Sequence, residues 1–171
     1  MTTQPTHERL LQWLQDAYAM EQEAETLLTA MGGRLEHYGE LRARIEQHVG
    51  ETKAQAEKLK RCIEHLGGST PAVKGMIATM MAGMHAAGNA MMSDEVAKGV
   101  GISYAFEHME IATYRALVIA AQEAGRDDIA DICGEILQEE IAMADWLLDH
   151  QEAVIMTFLR REAEAGVTAK R

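Results

Sequence analysis

A chain of 171 residues, 47% hydrophobic and 25% charged, is sized for one domain (1–171) with a sizeable core, and it is too apolar to be disordered. Its formal net charge of −11 speaks against nucleic acid or an anionic membrane surface as partner, because both reward basic patches. No run approaches the roughly 18–20 apolar residues of a membrane span, and the N-terminus "MTTQPTHERLLQWL" lacks a signal core, so a reducing, cytoplasmic setting is expected.

With two prolines and an abundance of Ala, Glu, Leu, Met and Gln, the chain reads as all-α. Thr6 as N-cap and the Gly32-Gly33 pair as stop predict a first helix over Thr6–Met31. Its 3–4 spacing gives the inner stripe Leu10, Leu14, Ala17, Tyr18, Glu21, Ala24, Leu28, Met31. A second helix is predicted over Tyr38–Leu66, stopped by Gly67-Gly68. Its stripe, Leu41, Ile45, His48, Thr52, Gln55, Leu59, Cys62, Leu66, is apolar at both ends and polar in the middle, with Glu51 on its edge.

Residues 69–92 carry six methionines and read as a short Met-rich helix begun at Ser69 or Thr70, with looser flanks; the methionines suit adaptable core filling. A third helix is predicted from about Ser93 to Gly125, with the stripe Val96, Val100, Tyr104, Glu107, Ile111, Tyr114, Val118, Ala121 and Glu110 beside it. A fourth runs from about Asp127 to His150, with Ile129, Cys133, Ile136, Glu140, Ala144 and Leu147 inward. A helical tail over 151–166 carries Val154, Ile155, Phe158 and Leu159 and suits docking on the bundle or on a second subunit. Cys62 and Cys133 fall at core positions as small buried hydrophobes. Tight turns within two helix pairs and one long connection between them predict a ferritin-like four-helix bundle with one crossover.

Each long helix thus carries an acid at mid-height on or beside its buried stripe: Glu21, Glu51, Glu107 with Glu110, and Glu140. The i, i+3 pair Glu107/Glu110 aims both carboxylates at one region. An unpaired buried ion costs roughly 3–5 kcal/mol, and total fold stability is about 5–15 kcal/mol, so several must be compensated. No Lys or Arg is read on the inner stripes at that level, with Lys53, Lys58 and Arg115 on flanks. Divalent metal is the economical compensation, and carboxylates with one imidazole suit iron or manganese.

The segments "DAYAMEQEAETLL", "RARIEQHVGETKAQ", "SDEVAKGVGISYAFEHMEIATY" and "ILQEEIAMADWL" resemble the YciE/YciF family of bacterial stress-associated proteins, the YciE branch most closely. The resemblance covers nearly the whole chain. It implies a ferritin-like bundle, a homodimer and a rubrerythrin-like di-metal site. Carried over by motif, Glu21, Glu51, Glu107, Glu110 and Glu140 match the family's acids, with His48 assisting. Di-iron bundles usually carry Glu-x-x-His on two helices, and this sequence departs from that. Ala54 falls three residues after Glu51, and Met143 three after Glu140; His48 or Gln55 could fill part of the gap, Glu139 less well.

His7, His37, His65, His85, His108 and His150 read as solvated, and Tyr18, Tyr104 and Tyr114 as inner-stripe residues. Tyr114 suits either packing or a hydrogen bond to a site carboxylate. The functional expectation is a di-metal (iron or manganese) carboxylate protein, with a reaction on peroxide or dioxygen open. The alternative is a non-enzymatic stress-induced binding or scaffold protein with a weak or vestigial site. Nothing specifies the shell-forming oligomer of an iron store.

Overall fold

A computed structural model describes residues 4–71, 93–164 and 166–167. Four helices account for nearly all of them: α1 (Gln4–Gly32), α2 (Gly39–His65), α3 (Glu95–Glu123) and α4 (Asp127–Ala163). The described residues contain no strand. α1 begins two residues before the expected N-cap, so Thr6 lies inside it; Pro5 in the first turn costs the helix nothing, because that N–H would go unpaired anyway.

Glycine stops α2 as the sequence suggests. Gly67 takes φ 77°, its N–H bonds to the Glu64 carbonyl, and the Gly68 N–H reaches back to Ile63, which together form a Schellman motif. Gly125 repeats this after α3 with φ 67°, its N–H on Gln122 and the Arg126 N–H on Ala121. The α1–α2 turn uses no left-handed glycine; the Leu35 N–H closes it on the Gly32 carbonyl.

Arg34, just past α1, pairs with Glu95 at the start of α3. The third helix therefore begins at the end of the bundle where α1 finishes, and α2 and α3 run parallel. The crossover must travel the length of α2, about 40 Å for 27 residues. It leaves α2 over α1, where the Ser69 carbonyl accepts from Gln15 Nε2 at 2.7 Å. Ser69, Thr70 and Pro71 are not helical, so no helix starts at Ser69 or Thr70; the rest of the expected Met-rich helix and His85 lie outside the described residues. α1 packs on α2 and α3, and α4 on α3 and α2. This is the ferritin-like arrangement.

The helical tail expected after His150 is continuous with the fourth helix. α4 continues to Ala163, a rod of about 55 Å over 37 residues, because no Gly or Pro falls between His150 and Ala163 and its inner stripe persists. Val154 and Phe158 follow Leu147 at +7 and +11 and are buried in the same apolar cluster as Leu35 and Tyr38. The Arg161 charge acts on the Tyr38 hydroxyl. The extension therefore packs in cis. Cys62 and Cys133 are free and buried, and burial pushes the Cys133 thiol up to about 12, so both behave as inert small hydrophobes.

His37, His65 and His108 are exposed as expected. His7 and His150 are half-buried instead. The His150 ring stacks on Trp146 with centroids 3.9 Å apart and its Nδ1 donates to the Trp146 carbonyl at 2.8 Å. No helix of the described residues is long and apolar enough to cross a membrane.

Candidate metal centre

Apolar residues fill the bundle toward both ends, and a polar layer lies between them. On α1, Glu21 sits between Leu14 and Leu28; on α2, His48, Thr52 and Gln55 sit between Ile45 and Leu59. On α3, Glu107 and Glu110 sit between Val100 and Tyr114; on α4, Glu140 follows Ile136 and precedes Met143. All seven polar side chains are at most 1% exposed, so water screens none of them.

His48, Glu107, Glu110 and Glu140 each offer one ligand-capable atom, and these four atoms all lie within 4.8 Å of one another. His48 Nε2 is 3.3 Å from Glu107 Oε2 and 3.5 Å from Glu140 Oε2. Gln55 Nε2 donates to Glu140 Oε1 at 2.6 Å and to Glu139 Oε2 at 2.8 Å. Four buried acceptors in this layer make no hydrogen bond: Glu107 Oε2, Glu110 Oε1, Glu140 Oε2 and Gln55 Oε1. Orphaned buried acceptors are rare, and each costs about 1–3 kcal/mol. A cation among them would satisfy several at once, so the donor set fits a divalent ion of the iron or manganese type.

Burial pushes the Glu21 carboxyl up to about 8, against the opposing hydrogen bond from Tyr114. Burial, then the charge of Glu21, pushes Glu140 up to about 9 and Glu110 well above the ordinary carboxylate range. Burial alone would strip the proton from His48, but its contacts with Glu107 and Glu51 outweigh that and raise it to about 10. Burial and mutual repulsion thus favour the protonated forms of Glu21, Glu110 and Glu140 in the metal-free layer, and the neighbouring carboxylates favour protonated His48.

The other two expected ligands stand apart from the four. The Tyr114 hydroxyl donates to Glu21 Oε1, and the charge of Glu21 reaches Glu107, Glu110 and Glu140. Tyr114 is thus a partner of a site carboxylate as well as a packing residue. Glu51 is half-buried and turned outward, accepting from His48 Nδ1 at 2.8 Å, Gln47 Nε2 at 2.8 Å and Arg44 Nη1 at 3.0 Å. The His48 contact first, with Arg44 and Gln47, holds its carboxyl down at about 2. Ala54 is exposed, so it occupies no inward slot; the inward pair on α2 is Thr52 and Gln55. Met143 does face the layer and is fully buried. Glu139 is half-buried, taking Gln55 on one oxygen and Lys58 Nζ at 3.4 Å on the other. Arg44, whose side chain is only 10% exposed, is the cation that stripe reading overlooked. Its spacing of −4 from His48 and −7 from Glu51 is the signal that marks it.

Removing the Tyr114 hydroxyl tests this layer. Tyr114→Phe leaves Glu21 buried without its donor, and urea unfolding at pH 7 should show a loss of about 1–3 kcal/mol. An unchanged midpoint would mean that the hydroxyl is dispensable.

An up-down-down-up bundle with a buried carboxylate–imidazole layer defines a ferritin-like helical protein with a candidate metal centre. The DUF892 family model, described as a domain of unknown function, matches residues 5–160. The chain belongs to that family, to which the YciE/YciF resemblance points. Several solved structures are similar, among them the following three. A protein of Xanthomonas campestris pv. campestris is 56% identical, with 94% of this chain and 99% of that one covered at a TM-score of 0.81. YcfI of Rhodopseudomonas palustris is 32% identical over 83% of this chain and 92% of that one, with a TM-score of 0.67. The stress protein YciF of Escherichia coli is 24% identical over 88% and 96%, with a TM-score of 0.71, and supports the bundle fold.

Proposed function

We propose that this protein is a metal-binding ferritin-like protein whose centre, built on His48, Glu107, Glu110 and Glu140, holds iron or manganese. Glu21 supplies a further carboxylate for a second ion. The observation that carries the reading is the group of orphaned acceptors, Glu107 Oε2, Glu110 Oε1 and Glu140 Oε2, buried together beside an imidazole. Bound iron or manganese would supply one-electron exchange with peroxide or dioxygen. The chain's own part is to hold the acids aligned, to exclude bulk water with the apolar layers on both sides, and to keep a hydroxyl donor, Tyr114, on Glu21. A bacterial stress setting in the cytoplasm is part of this reading, carried by the four resembling segments. So is a homodimer, which light scattering at twice the chain mass would test.

A second reading keeps the fold and drops the turnover: a binding or scaffold protein with a weak site. Gln55 and Met143 favour it, because di-iron bundles place imidazoles on two helices and among the described residues this layer has His48 alone. Anaerobic loading with Fe(II) followed by hydrogen peroxide separates the two. The redox reading expects peroxide consumption well above that of free Fe(II), on the order of 10-fold or more, lost in Glu107→Gln. Bound iron that consumes no peroxide or dioxygen beyond one equivalent would leave the scaffold reading.

A further inference from the structure

We propose that Glu51 is a positioning residue, clamped by Arg44 and Gln47, that aims His48 into the metal centre and is not itself a ligand. The inference rests on the metal reading above and adds how the His48 imidazole is held. Both Glu51 oxygens are already committed, and the one member of the four-residue group they meet is His48, on its outer nitrogen: Oε2 accepts from Arg44 Nη1 and His48 Nδ1, and Oε1 from Gln47 Nε2. An ionised carboxylate can only accept, so Nδ1 must carry the proton and Nε2 is left for the centre. That nitrogen faces Glu107 Oε2 at 3.3 Å and Glu140 Oε2 at 3.5 Å. A carboxylate on the far nitrogen of a ligating histidine fixes the ring and makes it a better donor.

The geometry has a local cause. Arg44, His48 and Glu51 lie at i, i+4 and i+7 on α2, one line of the helix surface. His48 is on the buried stripe, while Glu51 is 24% exposed at its edge, where Gln47 can reach it from solvent. One helix therefore carries the ligand, its orienter and the orienter's clamp, with no help from the other three.

Cobalt(II) titration of wild type, Glu51→Ala, Glu51→Gln and Arg44→Gln, followed by the d–d absorption, tests this. The expected result is an unchanged number of cobalt ions per chain, with affinity about 10–100-fold weaker in Glu51→Ala. Glu51→Gln should recover most of it, because the amide oxygen still accepts from Nδ1–H. In the zinc-loaded protein, nitrogen NMR should show His48 protonated on Nδ1 in wild type and a mixture of ring states in Glu51→Ala. Should Glu51→Ala not fold, Arg44→Gln should still weaken binding, by a smaller factor and without loss of stoichiometry. Wild type that binds cobalt beside a Glu51→Ala of equal affinity overturns this proposal alone. A lost ion in Glu51→Ala that Gln does not rescue makes Glu51 a ligand and overturns it too. Wild type that binds no cobalt overturns the metal reading, and this proposal with it.

Discussion

Metal-free protein is expected to be most stable near pH 5 and to melt about 10 °C lower at pH 8. Glu21 and Glu140 have folded pKa values of about 8 and 9 against an ordinary 4.5, and Glu110 moves the same way. Below 4.5 the folded and unfolded chains are both protonated, and the contribution is fully present. As pH rises, the unfolded chain releases protons that the folded chain keeps, and stability falls by about 1.4 kcal/mol per unit for each group until the folded pKa is passed. His48, raised from 6.5 to about 10, adds a loss of the same sign above 6.5. Glu51, lowered to about 2, acts oppositely, but only below 4.5 and at a partly solvated position. Even one group's share over three pH units is about 4 kcal/mol. Binding a divalent ion replaces those protons, so loaded protein should hold or gain stability over the same range. Thermal melts with and without Fe(II) or Mn(II), from pH 5 to pH 9, check this. A metal-free profile that is flat or rises toward pH 8 would mean that the carboxyls are compensated in another way.

The second large effect is a trade of binding against stability. Glu110 is fully buried, its Oε1 is orphaned and its neighbours are acids. Methionine has nearly the same length and volume and asks for no hydrogen bond. Glu110→Met should therefore raise the urea midpoint of the metal-free protein at pH 7.5, worth about 1–4 kcal/mol, with the slope unchanged. The same variant should lose most of its metal affinity. Such a pairing is expected where a polar core is retained for function against the interest of the fold. A destabilised variant would show that Glu110 is paired in solution and works as a structural acid.

The helices were legible because their 3–4 spacing is strict and their glycine stops are local chemistry: Gly67 and Gly125 end α2 and α3 in the left-handed conformation that other residues avoid. Glu21, Glu107 and Glu140 were legible because a carboxylate on an apolar stripe is out of character, and Glu110, beside the stripe, by its i, i+3 spacing from Glu107; all four are buried. The edge of the stripe was not. Glu51 and Ala54 lie −60° and −120° around the helix from His48, and whether such a residue turns in or out depends on which partners it finds. Here Arg44 and Gln47 offer Glu51 an outward partner, and Ala54 is left in solvent. Arg44 escaped notice because a charged residue beside an apolar stripe reads as a solvated flank, whereas its guanidinium bonds Glu51 and its side chain is only 10% exposed. The helical tail past His150 was legible too, and it is continuous with α4 because no Gly or Pro falls between His150 and Ala163.

Metal content tests the central claim most directly. Protein purified without chelator or nickel affinity, alongside a Glu107→Ala, Glu110→Ala double variant, would be measured for Fe, Mn and Zn per chain. The buried carboxylate–imidazole layer predicts about two Fe or Mn per wild-type chain, as in di-iron bundles, and their loss in the variant. A folded wild type that takes up no metal, even after anaerobic Fe(II) loading, would contradict it. The buried acids would then have to be held by protons alone.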